Sequence, residues 1–377
     1  MDGRVCVYRT YRYRIYPTRR QRLVLETHLQ FACDLYNAAL EQRRYEWRAG
    51  RPIGFVSQCR QLTEVWSAGD GPPGMSYSTM QDPLRRLDRS FQNFLRRVTA
   101  GQTPGYPRYR SRLRYDVLTW SGSWLIEDRR LALPGIGHLK VKWHRGLPTA
   151  GSRRIVTVRR HADRWYACIV LSIPVPLHRK TATGPAVGVD LGIQNFAALS
   201  TGELIPGPRA FRTSSKRLRM AQRRVSRRVQ GSRRRRKAGL VVARLHDRIR
   251  NIRRNHAHQL SRRLTSEFAL IAVEDLVLRD LAGGIIAKDV HDQAWGQFLR
   301  LLGYKAEDAG VQVVRVAPAR TSKVCSGCGT SVVKPLSERQ HRCPECDLFI
   351  DRDVNAARNI LRLGTSRQAS RWALRRA

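Results

Sequence analysis

Four of the eight cysteines fall into two closely spaced pairs, Cys325-x-x-Cys328 and Cys343-x-x-Cys346. Each pair can chelate from one tight turn, and two pairs supply the tetrahedral thiolate set that suits Zn²⁺. Gly329 and Pro344 fit the turns that such knuckles use. A complete four-thiolate shell leaves no coordination position open, so this expected zinc is structural rather than catalytic. The clustering favours a metal over disulfides, whereas Cys6, Cys33, Cys59 and Cys168 stand alone and read as ordinary core residues.

A second constellation is acidic. Asp190 ends the apolar run Val187-Gly188-Val189 and precedes Leu191-Gly192, so flanking glycines let backbone or phosphate approach closely. Glu274 ends another apolar run, Leu270-Ile271-Ala272-Val273. Strand ends open onto the crevice where α/β active sites lie. Asp351 and Asp353 both stand at the start of the last helix, and Asp351 is also placed to cap it. An acid set behind a buried strand is costly unless a cation compensates. Paired divalent metals such as Mg²⁺ do so, clamping the attacking and leaving oxygens of a phosphodiester. Singly, each acid is equally well a turn or helix cap. In this order and context they point together to metal-dependent phosphodiester chemistry.

The elements that must position these residues follow from hydrophobic periodicity. Tyr11, Tyr13 and Ile15 alternate with Arg12 and Arg14 as a half-buried strand ended by Pro17. Thr18 and Gln21 form a capping-box pattern, and Leu25, Leu29, Ala32, Tyr36 and Leu40 continue at helical spacing to Gly50. After a Gly- and Pro-rich loop, a basic helix is expected from Ser78 to Thr99. Short strands follow at Trp124 to Ile126, Leu131 to Leu133, Leu139 to Trp143, Ile155 to Val158 and Trp165 to Ile173. They predict a small β-barrel that the first strand rejoins. Pro174 to Pro185 is a plausible domain linker. Beyond it come strands at Ala186 to Asp190, Gln194 to Leu199 and Glu203 to Ile205. A basic helical region runs from Arg212 to Thr265, with a break near Gly231. Then a strand to Glu274, a helix Asp292 to Ala309, a strand Val311 to Val316, the cysteine insert and a helix Asp353 to Leu363 complete the chain. That order matches a ribonuclease-H-like fold.

Charge narrows the partners. Lys and Arg total 71 against 29 Asp and Glu, a formal net charge of +42. Such a chain repels itself unless a polyanion lies against it, and nucleic acid binds chiefly through phosphate contacts to Arg and Lys. Charge alone separates neither an enzyme from a histone-like binder nor DNA from RNA. A hydrophobic fraction of 42% marks a globular chain rather than a disordered one. No apolar run approaches the roughly 18 residues of a membrane span, and the N-terminus lacks a signal peptide's apolar stretch. The expectation is a cytoplasmic protein, nucleoid-associated in use, with no membrane partner.

Four segments carry a specific resemblance: Gly188-Val189-Asp190-Leu191-Gly192, Val273-Glu274-Asp275-Leu276, Thr321-Ser322-Lys323-Val324-Cys325-Ser326-Gly327-Cys328-Gly329 and Asp351-Arg352-Asp353-Val354-Asn355-Ala356-Ala357. They resemble the three split RuvC motifs and the zinc insert of the TnpB family, transposon-encoded relatives of type V CRISPR effectors. Tyr13-Arg14-Ile15-Tyr16-Pro17-Thr18 and Gly105-Tyr106-Pro107-Arg108-Tyr109-Arg110 are similar to that family as well. The resemblance implies a multidomain α+β fold. A wedge-type β-barrel (residues 1–17 and 102–180) would carry a helical recognition insert (18–101). A RuvC-like, RNase H-like nuclease domain (181–377) would hold a zinc-binding insert (321–350). It further implies an RNA-guided DNA endonuclease in which guide RNA pairs with target DNA beside a short flanking motif. Asp190, Glu274 and Asp353 would then be the catalytic ligands of a two-metal Mg²⁺ site, Asp353 being chosen over Asp351 by its place in the motif. Cys325, Cys328, Cys343 and Cys346 would hold the structural Zn²⁺. Two alternatives stay open: a nuclease-inactive RNA-guided repressor, against which the intact acids argue, and a strict transposase that also joins strands. No helix-turn-helix stands out. The dense run Ser232 to Lys237 is a phosphate-contacting turn or a solvated face, and Gly283 to Ile286 a lid or a plain loop.

Overall fold

Alternation of Tyr and Arg builds β1 (Arg4–Tyr16), in which Tyr13 and Ile15 are buried and Tyr16 is exposed. The computed structural model describes residues 4–122, 124–176, 182–275, 293–317, 321–335 and 338–374. The chain divides into two units, Met1–Leu177 and His178–Ala377, with the division inside the stretch from Pro174 to Pro185. The expected lid or loop, Gly283 to Ile286, lies outside the described residues.

In the first unit, Thr18 accepts the Gln21 amide hydrogen while the Gln21 side chain accepts that of Thr18, and α1 (Arg19–Arg48) starts there. This reciprocal pairing satisfies two amides that would otherwise lack partners. α2 (Phe55–Ser67) was not anticipated from the sequence. It docks through a polar link, Arg43 Nε to Gln58 Oε1 at 2.8 Å, as much as through Leu62. α3 (Tyr77–Thr99) buries Met80, Leu84 and Leu87. The strands β2 (Val117–Ser121), β3 (Leu125–Glu127), β4 (Arg130–Leu133), β5 (Gly137–Lys142), β6 (Ser152–His161) and β7 (Arg164–Pro176) join β1 in the order β2-β6-β7-β1-β5-β4-β3. β1 does return to the centre, pairing with β7 from Arg4 to Ile15 and with β5 from Arg14 to Tyr16. No ladder joins β2 to β3 among the described residues, so the barrel expected from the sequence takes the form of an open half-barrel. The open edge at β2 is approached by α3 instead, where Arg86 Nη2 donates to Thr119 Oγ1 at 3.1 Å. Covering an edge in this way protects it from pairing with another chain. Helices and sheet share one apolar core, from Tyr13 and Leu25 to Leu84 and Trp120.

The second unit follows the expected order. β8 (Ala186–Asp190), β9 (Asn195–Leu199) and β10 (Leu204–Pro206) lead to α4 (Ala210–Ser226) and α5 (Arg233–Glu267). Then come β11 (Leu270–Glu274), α6 (Trp295–Ala309), β12 (Gln312–Val316), the short hairpin of β13 (Gln340–Arg342) and β14 (Phe349–Asp351), and α7 (Arg352–Leu374). The sheet order is β10-β9-β8-β11-β12, with β8, β11 and β12 parallel and β9 and β10 antiparallel to their neighbours. Successive residues of a strand face opposite sides. Val187, Val189, Ile271 and Val273 therefore pack with Leu260 and Leu264 of α5 and Phe298 and Leu302 of α6. On the other face, Ala272 meets Ile360 of α7.

Gly188 sets how closely α7 can lie on the sheet. A methyl group there would stand 2.0 Å from the Ala357 carbonyl oxygen, a backbone atom that cannot swing aside. Gly188→Ala should cost about 2 kcal/mol or more through overpacking, measured as a lower thermal midpoint. Gly239, inside α5, has open space around it, so Gly239→Ala in the same assay should stabilise by up to about 1 kcal/mol. Equal midpoints for the two variants would refute this account of how α7 is seated.

Candidate active site and thiolate cluster

The parallel register sets two acids side by side. Val189 pairs with Val273, so Asp190 and Glu274 follow on neighbouring strands, with backbones about 4.8 Å apart. Alternation sends both away from the α5 and α6 side, toward the face that α7 covers. Asp353, in the first turn of α7, completes the group: a methyl group added at Gly192, two residues after Asp190, would lie 3.5 Å from Asp353 Oδ2. The structure thus brings Asp190, Glu274 and Asp353 together.

Their surroundings oppose ionisation. Burial, followed by the charges of Glu274 and Asp353, holds the Asp190 carboxyl well above the usual carboxylate range. Glu274 is 8% exposed, and burial raises it as well, against the Thr321 hydroxyl, which donates to Glu274 Oε1. Burial raises Asp353, and Arg339, with Nη1 3.4 Å from Oδ1, opposes the rise. Asp275 faces outward and pairs with Arg315 at 3.1 Å. Asp351 Oδ1 accepts the amide hydrogens of Asp353 at 2.8 Å and Val354 at 3.4 Å. That is the geometry of a helix N-cap.

The four clustered cysteines also converge. Their sulfurs lie within 4.8 Å of one another, with Cys325–Cys346 at 3.6 Å and Cys328–Cys343 at 3.5 Å. Each pair sits at a hairpin tip. Cys325 and Thr330 close the first, with Gly329 at φ +85°, and Cys343 and Leu348 close the second, with Asp347 at φ 53°. The residue after the second cysteine is left-handed in both, a role in which Asp347 was not anticipated.

Thr321, Asn355 and Asn359 lie in or beside the motifs, but nothing in the sequence gave them tasks. Asn355, fully buried, donates to the Val324 carbonyl at 2.8 Å and accepts the Ser326 amide hydrogen at 2.8 Å. Asn359 donates to the carbonyls of Thr321 at 2.9 Å and Val324 at 2.7 Å. The first cysteine turn is thereby fastened to the helix that carries Asp353. The signal available in sequence was helical spacing: Asn355 and Asn359 are four residues apart on one face of α7. The Ser232 to Lys237 run is the start of α5, with Ser232 accepting the Arg235 amide hydrogen at 3.1 Å.

Comparison with known proteins is consistent with this geometry. Residues 166–283 match the OrfB model of IS605-type elements, described as "Probable transposase", and residues 295–360 match one described as "Cas12f1-like, TNB domain". Residues 1–52 match a model described as "Helix-turn-helix domain", which the sequence reading did not anticipate; its described residues here form β1 and the single helix α1. A Streptomyces pristinaespiralis protein named as an RNA-guided DNA endonuclease is 36% identical over 96% of this chain and 91% of its own. InsQ of Escherichia coli, named likewise, is 29% identical over 88% of this chain and 86% of its own. Among solved structures, the Cas12f1-sgRNA-target DNA complex contains a chain of similar fold, with a TM-score of 0.56 at 13% identity over 94% of this chain and 98% of that one.

Without a bound cation the three acids bind protons more tightly than in the unfolded chain. Their contribution to stability is then fullest below the ordinary carboxylate pKa and is lost as pH rises through the raised values. In chelator at neutral pH, Asp190→Asn should therefore raise the thermal midpoint, by roughly 2–4 °C per kcal/mol of repulsion relieved. The gain should shrink as the pH is lowered toward the ordinary carboxylate range. A midpoint unchanged at neutral pH would mean that the charges are already compensated.

Proposed function

This chain belongs to the TnpB family, OrfB of IS605-type elements, and from that premise we propose that it is an RNA-guided DNA endonuclease with a RuvC-type, metal-dependent active site. The observation that carries the proposal is the convergence of Asp190, Glu274 and Asp353 on one face of a mixed sheet. Guide RNA pairs with the target strand, and the protein reads a short flanking motif in the duplex. This division of labour is the one used by RNA-guided effectors. The half-barrel (residues 1–17 and 102–180) with its helical insert (18–101) serves recognition. The unit from 181 to 377 is the RNase H-like nuclease, and residues 321–350 are its zinc-binding insert.

The donor sets fit their metals. Three carboxylates whose ionisation is opposed by burial, offset only in part by Arg339, Arg352 and Lys334, make a site that hard Mg²⁺ ions would neutralise. Tetrahedral Zn–S bonds of about 2.3 Å place sulfurs about 3.8 Å apart, close to the separations of 3.5 and 3.6 Å here. Bound Mg²⁺ ions supply Lewis-acid stabilisation at the attacking and leaving oxygens. The chain's own residues do the positioning. Asp190 and Glu274 are held by strand register, Thr321 orients Glu274, and Asp351 caps α7 so that Asp353 keeps its place.

The test begins with protein stripped of nucleic acid by ribonuclease and high salt, then offered a plasmid in Mg²⁺. Cutting should require cognate RNA, and rewriting the guide segment should move the cut. Asp190→Ala, Glu274→Ala and Asp353→Ala should each lower cutting by about 10³-fold or more while sparing nucleic-acid binding. Asp351→Ala should keep cutting and lose about 1 kcal/mol of stability. Identical cuts with and without RNA would leave a nuclease but remove guidance, and joined rather than free ends would favour the strict transposase.

For the cysteine cluster, metal analysis should find one zinc per chain. Cys325→Ser with Cys328→Ser should lose it and loosen the fastening to α7, since such sites fold with their ion. Full zinc content in that variant would exclude the four-thiolate assignment.

A further inference from the structure

The segment Gly105 to Arg110, singled out in the sequence, has no task in the chemistry above. With α1, α3 and β6 it borders two neighbouring cavities in the first unit, of 320 and 360 Å³, which share Tyr36, Arg110 and Arg114 as lining residues. Arg86, Arg89 and Arg159 add to the wall of the smaller cavity, and Tyr106, Pro107 and Tyr109 line the larger. Acids do not balance these cations. Asp116 is engaged by Arg159 at 2.9 Å and Asp82 by Arg86 at 2.6 Å. Arg89, Arg110 and Arg114 have no carboxylate partner among the described residues.

Tyr115 adds a second, independent observation. It lines the smaller cavity, is 5% exposed, and its buried hydroxyl has no hydrogen-bond partner. Buried polar groups are nearly always paired, so an orphan asks for a missing acceptor. Burial and then nearby Asp82 raise the phenol well above its ordinary pKa, so it stays a donor. The aromatic wall of the larger cavity is braced from behind. Phe91 and Phe94 meet the Tyr106 ring edge-on at 5.6 and 5.3 Å, and Arg44 donates to the Tyr109 hydroxyl at 3.2 Å. Rings held this way present faces on which bases stack without regard to sequence.

We infer that these cavities form a binding site for one nucleotide of a nucleic-acid strand. Its phosphate lies among Arg89, Arg110 and Arg114 and accepts the Tyr115 hydroxyl, and its base is unstacked against Tyr106 and Tyr109. The inference rests on the nucleic-acid reading of function and adds a site that the catalytic acids do not require. An RNA and a DNA strand share the phosphodiester chemistry, and the test tells them apart.

The test uses the full-length chain and labelled single strands of RNA and of DNA, with the matching DNA duplex, titrated by anisotropy across salt concentrations. Tyr115→Phe removes one oxygen. If that oxygen awaits a phosphate, the free protein should melt at the same or a higher temperature while affinity for one or both single strands falls about tenfold. A purely packing role leaves affinity where it was. Arg110→Ala with Arg114→Ala should weaken the same strand more than tenfold. It should also flatten the logarithmic salt dependence by about 0.7 for each phosphate that is no longer neutralised. Arg19→Ala with Arg20→Ala, an exposed pair at the start of α1, should weaken it less than threefold. Weaker RNA binding assigns the site to the guide, and weaker DNA binding assigns it to a displaced or target strand. Unchanged binding by Tyr115→Phe overturns the inference, as does equal weakening in the two arginine pairs. A weakening confined to the duplex also overturns it, since a stacked base cannot reach the tyrosines. Because the readout is binding, protein that cuts without RNA would sink the guided function and leave this site standing, and the reverse outcome would do the opposite.

Discussion

Like charges crowded away from water dominate this molecule. Asp190, Glu274 and Asp353 converge where burial already disfavours ionisation, and each makes the arrangement harder to hold. An isolated pair of carboxylates would turn away. Here they are built into elements that cannot turn. Asp190 and Glu274 project from strands locked in parallel register. Asp353 rides a helix pressed so close to β8 that only glycine fits at position 188. The apolar cores on the two faces of the sheet stabilise the arrangement against its own repulsion. This is local destabilisation at the candidate site offset by the surrounding scaffold.

The opposite problem surrounds it. The chain carries a net +42, and α5 opens with Arg233, Arg234, Arg235, Arg236 and Lys237 at the positive end of its own dipole. Cations there oppose the helix macrodipole. Two electrostatic strains of opposite sign thus coexist, and they offset each other only in part. At the site Arg339 lies beside Asp353, and Arg352 and Lys334 also draw on these carboxyls. Divalent cations would relieve the inner strain, as phosphates relieve the outer one. Nucleic acid laid against the cationic surface neutralises the outer strain, which makes it the partner that fits this chain's charge balance.

What could be read in the sequence was whatever has a period. The runs ending in Asp190 and Glu274, the capping box at Thr18 and the paired cysteines each repeat a geometric rule at fixed spacing. α2 escaped because it docks through Gln58 and Arg43, and a polar contact leaves no apolar stripe. β2 (Val117–Ser121) escaped as well. The strand count pointed to a barrel but not to how far it closes, because closure depends on whether edge strands meet, a long-range matter that no local pattern encodes. Among site residues the carboxylates were visible because acids behind apolar strands are improbable. Thr321, Asn355 and Asn359 were not, because a hydroxyl or amide that hydrogen-bonds across 30 or more residues looks in sequence like any surface polar group.

Those three residues also explain why a thiolate cluster sits in this part of the chain. The loop between β12 and β13 has too little apolar material for a core of its own, and a metal held by the four thiolates would replace one. Asn355 and Asn359 then tie the first cysteine turn to the first turns of α7, while Thr321, at the start of the same segment, reaches Glu274. The segment therefore touches two of the three carboxylates, one through α7 and one directly. A side chain on a floppy loop could not hold Glu274 to the tolerance that metal coordination demands, since catalytic ligands must be fixed by packed and hydrogen-bonded neighbours. An ion held by the four thiolates would give Thr321 a rigid base without adding a layer of hydrophobic residues beside the carboxylates.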